Sequence, residues 1–549
     1  MRAVRDKRPT RQHSSRLAAG LPERFLELSG ARKIDALLSV ENPQELVRSF
    51  AADELYLLIH DIGLADCTDV IAMTSREQRQ ALIDLDCWLG DSFEVDDFHR
   101  WLDIIKDGSL DNLSETIGSV DPELLVNYIL LHTTAIFDRD QEDDILAFQN
   151  TGAILYTPDR EFGLGLPPRS EEFAPRLNFV VDQLYRFDMN LARNILRSAK
   201  SELRIEAEES AYQFRTQRLC DLGFPPPDEA HVLYAPIQIE ALKASLERAE
   251  KPHFINDQTS VGWALARSNN AGPFLDQCLR SLDDTDRFVR EFTLCVNRAV
   301  VASPAGIALR NLDRVGSITQ SVHATISLGL EHLADGDPIR GHAILQKAWL
   351  VNLFQVGHAQ TMLLTKRAIH LEKRGQTLFN DKVSNLIAAL ACRPQPRFRM
   401  ETGRWIPFTS RADLAEADAI LARAEQVCDI FEQSFGFSME RFQTHEFSGI
   451  PESQRPLISF EVLARTLVAH LICEGKPSFE PLSTQQVTTM LTKRDEMEDI
   501  VHAFLDRVDS HAHPIIEQAA LSLRNNVPNT RLVDEDDLKA LSSVLLIAG

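Results

Sequence analysis

The stretch that decides the fold is residues 41–88, ENPQELVRSFAADELYLLIHDIGLADCTDVIAMTSREQRQALIDLDCW. Within it, Asn42-Pro43 places a capping side chain before a proline at the first helical position, and Thr74–Glu77 has the spacing of a capping box. Asp121-Pro122 repeats the first signal further along the chain. Each predicted helix is too short to bury its apolar face alone, so neighbouring helices must stack. The stretch therefore predicts an array of short helices over residues 34–132.

The same region carries the spacing of an internal repeat. Glu54, Glu77 and Glu123 are separated by 23 and 46 residues, and each lies near a predicted helix start. Such spacing is typical of helix-and-loop units of about 23 residues that pack on their neighbours. We interpret residues 34–137 as a helical-repeat domain with one degenerate unit.

Two segments depart from the helical pattern. Gly152–Gly165 predicts a β-hairpin that turns at Pro158-Asp159, and Arg397–Phe408 predicts a second hairpin that turns at Thr402-Gly403. The predicted fold class is therefore all-α, a multi-part array of stacked, repeat-like helices with two small β-hairpins.

Linkers and composition shifts divide the chain into six predicted segments. Proline- and glycine-rich stretches such as Gly223–Pro227 mark firm ends of helices. In chain order the segments are a flexible basic tail (1–33), the helical-repeat domain (34–137), an acidic loop with a β-hairpin (138–172), a central helical domain (173–390), an arginine-rich hairpin with a helical unit (391–480) and C-terminal helices (481–549).

The central region has the clearest helical periodicity. One predicted helix has an apolar face made of Phe288, Phe292, Cys295, Val296 and Ala299. A second is predicted to begin at Asp337-Pro338 and to carry one apolar stripe of Leu345, Trp349, Leu353 and Val356. We expect Trp349 to be a core anchor of this region.

The formal net charge of the 549-residue chain is −23. Such a surface repels phosphate backbones and argues against nucleic-acid binding. Residues 1–33 are the exception, with nine basic side chains against three acidic ones. We interpret them as a flexible tail; the alternative is a docking arm for an acidic partner.

The eight cysteines include no C-x-x-C pair, and several lie among apolar neighbours. This pattern is typical of buried thiols in a reducing compartment. No apolar run approaches the ~20 residues that a membrane span needs. We therefore expect a cytoplasmic protein with no membrane insertion.

His60-Asp61-Ile62-Gly63 matches the core of a metal-dependent phosphohydrolase signature. That chemistry needs further ligands to complete a metal-bound water site. The only upstream histidine is His13, in the basic tail, and Leu64 replaces the usual lysine. We favour a structural role, with Gly63 ending a helix; a metal site at His60 and Asp61 is the alternative.

A second candidate metal site lies near the C-terminus. Asp499, His502 and Asp506 belong to a series of acidic and histidine residues at alternating steps of three and four, which places them on one helical face. An apolar stripe that includes Met497 and Val501 lies on the other face. This is the pattern of a surface helix with a solvated outer side, which we favour over metal binding.

The predicted second hairpin concentrates positive charge and aromatic residues on an acidic chain. Arginines next to aromatic rings can clamp a ligand or can simply pack on neighbouring helices. We favour packing, and we keep the patch as the best candidate for partner binding: Arg393, Arg397, Arg399, Arg404 and Trp405.

Five strings stand out as a set: Leu55–Gly63, Leu82–Trp88, Asp221–Pro236, Gly329–Gly357 and Arg393–Asp413. Taken together, they resemble a bacterial family of unknown function, DUF6178, whose members are about as long as this chain. The resemblance covers most of residues 35–480 and implies no catalytic residue. Separately, residues 34–132 resemble the helical repeats of the magnesium-transporter cytosolic domain and the flagellar motor-switch protein.

No complete catalytic signature is present, so we assign no catalytic residue, metal or cofactor. The leading hypothesis is a non-catalytic adaptor scaffold that binds protein partners, because stacked helices offer extended surfaces. The alternatives are a metal-dependent hydrolase or metal-binding enzyme and, less strongly supported, a nucleic-acid-associated protein.

Overall fold

The computed structural model describes residues 28–108, 110–139, 152–170, 172–248, 272–280, 284–304, 309–375, 378–392, 405–438, 454–527 and 535–548, together with residues 21, 25, 282, 307, 396, 398–399, 450 and 452. Most of the predicted basic tail and acidic loop therefore lie outside the described residues. The chain divides into two compact units, residues 1–357 and 358–549. The six predicted segments are finer than this division and stay predictions.

The first unit is built almost wholly of helices, and the predicted helical class is confirmed. Its helices are α1 (Gly30–Leu38), α2 (Pro43–Ser49), α3 (Ala52–Ile62), α4 (Thr68–Ala72), α5 (Arg76–Asp86), α6 (Val95–Gly108), α7 (Leu110–Ser119), α8 (Pro122–His132), α9 (Ala174–Phe187), α10 (Met189–Ser201), α11 (Arg204–Asp221), α12 (Pro227–His231), α13 (Ile239–Arg248), α14 (Pro273–Leu279), α15 (Thr285–Val301), α16 (Leu312–Ala334) and α17 (Pro338–Lys347). Helix α18 (Leu350–Gly375) contributes residues to both units.

The helix starts follow the predicted chemistry with two differences. Asp121 caps α8 by accepting from the Glu123 N–H, with Pro122 at the first position. The capping box of α5 is formed by Ser75 and Gln78, one residue later than predicted. Asn42 precedes α2 but makes no side-chain capping hydrogen bond. The repeat-spaced Glu54, Glu77 and Glu123 all fall in the first turns of α3, α5 and α8, three helices of 11 residues each.

The first predicted hairpin is confirmed and is part of a larger sheet. Strands β4 (Ala153–Tyr156) and β5 (Phe162–Leu166) pair antiparallel, and β3 (Ala135–Asp138) adds to the other edge of β5. The central strand β5 is buried along its whole length. A small pair that was not predicted, β1 (Trp88–Leu89) with β2 (Ser92–Phe93), follows α5 directly.

Two glycines let α16 and α18 cross at very short range. A Cβ built on Gly329 would lie 2.8 Å from the backbone nitrogen of Gly357 and would also overlap the Leu353 carbonyl group. A Cβ built on Gly357 would overlap the Thr325 carbonyl in the same way. Glycine is therefore required at both positions, because the backbones touch where a side chain would begin.

The expectation that one helix runs from Asp337 through Val356 was wrong. Helix α17 ends at Lys347 and α18 begins at Leu350, so Trp349 lies in the break and is 37% exposed instead of being a core anchor. Residues of α15 stabilise the break. Arg287 donates to the carbonyls of Gln346 and Ala348, and Glu291 accepts from the Leu350 N–H at 2.8 Å.

The second unit packs helices around a cluster of phenylalanines. Phe431 contacts Phe460 at a ring-centroid distance of 4.7 Å and also contacts Phe437 and Phe479. The second predicted hairpin is confirmed as a short antiparallel pair. The helices and strands of the second unit are α19 (Asp381–Leu390), β6 (Phe398–Arg399), β7 (Trp405–Ile406), α20 (Arg411–Gln433), α21 (Phe460–Glu474), α22 (Thr484–Thr492), α23 (Met497–Leu505), α24 (His513–Asn526) and α25 (Glu535–Leu541).

The described helices include none with the length and apolar character needed to cross a membrane.

Candidate functional site

A buried carboxylate closes the C-terminal end of α5. Asp86 is 2% exposed and accepts hydrogen bonds from the Tyr56 hydroxyl at 2.6 Å and from Trp101 Nε1 at 2.7 Å. Arg310 Nε donates to the same carboxylate at 2.8 Å, and His60 Nε2 lies 3.3 Å from it. Tyr56 and His60 reach it together because they stand one turn apart on α3.

Two residues earlier on α5, Asp84 is also buried and also paired. Arg218 of α11 binds it through Nε at 2.6 Å and Nη2 at 3.0 Å, and Gln80 Nε2 donates at 2.9 Å. Arg215 donates to the Asp84 backbone carbonyl at 2.8 Å. Arg218 also forms an ion pair with Asp121, the cap of α8. The arginines of α11 thereby tie α5 to the start of α8. We call the groups around Asp84 and Asp86 the carboxylate network.

The electrostatics of the network favour an ionised Asp86. Burial alone would raise the pKa of the Asp86 carboxyl, but the neighbouring His60 ring, the hydrogen bond from Tyr56 and the charge of Arg310 outweigh burial and hold the pKa well below its ordinary value. Burial and the neighbouring Asp86 charge raise the pKa of Tyr56. At neutral pH, Tyr56 therefore keeps its proton and donates it in a hydrogen bond to an ionised Asp86.

Asp86 has little remaining capacity for other chemistry. A carboxylate offers about four acceptor sites, and Tyr56, Trp101 and Arg310 already occupy three, with His60 next to them. A metal or a substrate proton at Asp86 would have to displace one of these groups. The geometry is that of a clamp that holds helices together.

His60 and Asp61, which were considered as a metal-binding pair, contact different residues in the structure. His60 faces Asp86, whereas Asp61 forms an ion pair with Lys33. Gly63 caps the C-terminal end of α3 at a φ of 118°, a conformation that glycine adopts most easily, as predicted. In the described ranges no group of three or more His, Cys, Asp or Glu side chains could hold a metal ion.

The second candidate metal series does not share one helix. Asp499 and His502 lie exposed on α23, but that helix ends at Leu505, and Asp506 is its exposed C-terminal cap. On the other face, Met497 and Val501 are buried.

The predicted partner-binding patch lies largely beyond the described residues. Arg393, Arg397 and Arg404 are outside them. Arg399 and Trp405 are described only through their backbones, as register partners in β6 and β7. The role of this patch stays a prediction.

A cleft that the sequence did not reveal lies within the second unit. Its volume is about 600 Å³, and its walls come from α19, α20, α21, α24 and the segment before α21. Its floor contains the small side chains of Ala424, Ala464 and Ala519, together with Phe431 and Phe460. These residues come from three helices, so no local sequence pattern joins them.

The polar groups of the cleft are suited to binding. Ser459 caps α21 by accepting from the Val462 N–H, and Ser522 accepts from Arg465 Nη1 at 3.2 Å. The described lining contains no histidine or cysteine that could activate either hydroxyl. The cleft has the chemistry of a ligand site without a nucleophile and base.

Comparison with curated proteins and with solved structures found no match to this chain. These comparisons therefore give no support to the resemblance of residues 34–132 to magnesium-transporter and motor-switch repeats that the sequence suggested. One family model does match, and it covers residues 12–535. That span is nearly the whole chain, so the protein belongs to the family of unknown function DUF6178.

Proposed function

We propose that this protein is a non-catalytic interaction scaffold of the cytoplasm that binds protein partners through the surfaces of its stacked helices. The observation that supports the non-catalytic part most directly is the closure of the carboxylate network. Asp86 is the buried acid next to the candidate metal ligand His60, Asp84 is the buried acid two residues before it, and donors from the same chain already occupy both.

Exposed apolar side chains support the interaction part. Leu203 and Ile205, which flank the start of α11, are 68% and 81% exposed. Large apolar side chains held in water in this way often mark contact sites for a partner. The cytoplasmic location is supported by the cysteines, all free and most of them buried.

The interaction part is tested by native affinity purification of the tagged full-length protein with mass spectrometry. The double variant Leu203→Glu/Ile205→Glu should melt like the wild type and lose partners. Ile339→Glu is the matched control, because Ile339 is equally exposed elsewhere in the same unit. Unchanged partners in the double variant would remove this surface from the proposal.

The non-catalytic part is tested by metal analysis of the purified protein and of His60→Gln. We expect no stoichiometric metal that depends on His60. Iron, manganese or zinc that is bound one to one and lost in the variant would instead favour the metal-dependent hydrolase.

A further inference from the structure

We propose that the cleft of the second unit binds a small amphipathic anion of the fatty-carboxylate class. The first argument is its size. A volume of about 600 Å³ falls in the range of ~300–1,000 Å³ that is typical of small-molecule sites. A docked partner protein would need about 1,000 Å² or more of interface, which is far more than a cleft of this size presents.

The second argument is the apolar interior. Ala424, Ala464 and Ala519 are buried and small, so they leave space for a ligand between their helices. Phe431 and Phe460, whose ring centroids lie 4.7 Å apart, also line the cleft. An alkyl chain laid on this floor would leave water for an apolar surrounding, which favours binding.

The third argument is the charge at the rim. Lys382 and Arg423 are exposed, and in the described part of the chain neither has an ion-pair or hydrogen-bond partner. Arg465 is held by the Val544 carbonyl and by Ser522. Three basic side chains thus face the cleft of a molecule whose net charge is −23.

Acidic groups at the rim only partly offset these cations. Glu461 Oε2 lies 3.9 Å from Arg465 Nη1, and Asp381 occupies the first turn of α19. Helices α19 and α21 both begin at the cleft, and the positive ends of their dipoles add to the attraction for an anion. An anionic head at Lys382 and Arg423 with an alkyl tail over the alanines matches this arrangement.

The test is calorimetric binding to the full-length protein, with decanoate, decanol and decyltrimethylammonium as probes below their micelle concentrations. Decanoate should bind with one-to-one stoichiometry and more tightly than the neutral or cationic probe. Octanoate, which is two methylenes shorter, should bind roughly fifteenfold more weakly, because each buried methylene contributes about a fourfold change in affinity.

Variants distinguish recognition of the anionic head group from recognition of the alkyl chain. Lys382→Glu/Arg423→Glu should weaken decanoate about tenfold and leave decanol unchanged. Lys476→Glu/Arg507→Glu is the matched control, because both residues are exposed in the same unit and do not line the cleft. Ala464→Trp should remove binding of every probe by filling the floor.

The charge variants alter exposed side chains, so they keep the test decisive even if Ala464→Trp fails to fold. The proposal is overturned if decanoate does not bind, if decanoate and decyltrimethylammonium bind equally, or if the matched control loses as much affinity as the rim variant. It is also overturned if a native-melting Ala464→Trp still binds decanoate. None of these outcomes depends on whether a protein partner is captured.

Discussion

Replacing Gly329 with alanine tests the close crossing of α16 and α18. The new Cβ would lie 2.8 Å from the Gly357 nitrogen, whereas ordinary van der Waals contact begins at 3.4 Å. The Leu353 carbonyl oxygen is closer still, so the helices would have to part by roughly an ångström or more, because backbone on both sides cannot rotate away as a side chain can. Overpacking of this kind costs ~1–3 kcal/mol, and we take the upper end because the clash is with backbone.

Helix propensity acts in the opposite direction. Alanine is favoured over glycine in a helix by about 1 kcal/mol, so the net loss expected for Gly329→Ala is about 2 kcal/mol. Gly316→Ala, in the same helix, is the matched control. A Cβ there meets nothing within 4 Å, so that variant should gain up to about 1 kcal/mol.

The measurement is urea unfolding followed by circular dichroism for both single variants and for Gly329→Ala/Gly357→Ala. The double variant should cost less than the sum of its singles, because one separation of the helices relieves both clashes. If Gly329→Ala and Gly316→Ala change the unfolding midpoint by the same amount, the crossing is not as close as described.

Three further predictions follow from named contacts. Asp86→Asn should destabilise the first unit by about 3–5 kcal/mol, because it removes the negative charge to which buried donors are hydrogen-bonded. The control Asp335→Asn breaks an exposed ion pair and should cost under about 1 kcal/mol in the same unfolding assay. Burial lowers the pKa of His99 from 6.5 to about 4. Between pH 6.5 and pH 4 the unfolded chain binds a proton at His99 that the folded chain does not bind. The free energy of unfolding should therefore fall by up to about 3 kcal/mol from above pH 6.5 towards pH 4. If His99→Gln leaves the dependence of the unfolding free energy on pH unchanged, this prediction is wrong. Trp349→Ala should cost about 1 kcal/mol rather than the ~3–5 of a buried tryptophan, because the ring is 37% exposed and lies under the Arg287 guanidinium. A cost above about 3 kcal/mol in urea unfolding would return Trp349 to the core.

Local signals in the sequence predicted the elements whose causes are local. The hairpin around Pro158-Asp159 and the capped start of α8 depend on residues within a few positions of each other, and both are present. Strand β3 was missed because its partner β5 lies across the acidic loop, where alternation in four residues alone is too weak to indicate a strand.

The features that were missed or mistaken depend on distant residues. The apolar spacing of Leu345, Trp349 and Leu353 continues without a glycine or proline, so nothing local shows that Arg287 and Glu291 end one helix and start the next. Asp84 and Asp86 lie in a string that was noted for its family resemblance, but their arginine partners could not be paired with them from the sequence. The cleft was missed because its floor comes from three separate helices.

The carboxylate network also limits which fragments of the chain can fold on their own. Arg218 is 134 residues from Asp84, and Arg310 is 224 residues from Asp86. A fragment that ends at residue 137 would keep Tyr56, Trp101 and Gln80 as donors but would lose both arginines. Burying two carboxylates without these charge partners is costly enough to destabilise the fragment. We expect residues 34–137 to be insoluble when they are expressed alone. They should become soluble when they are co-expressed with a fragment that carries Arg218 and Arg310.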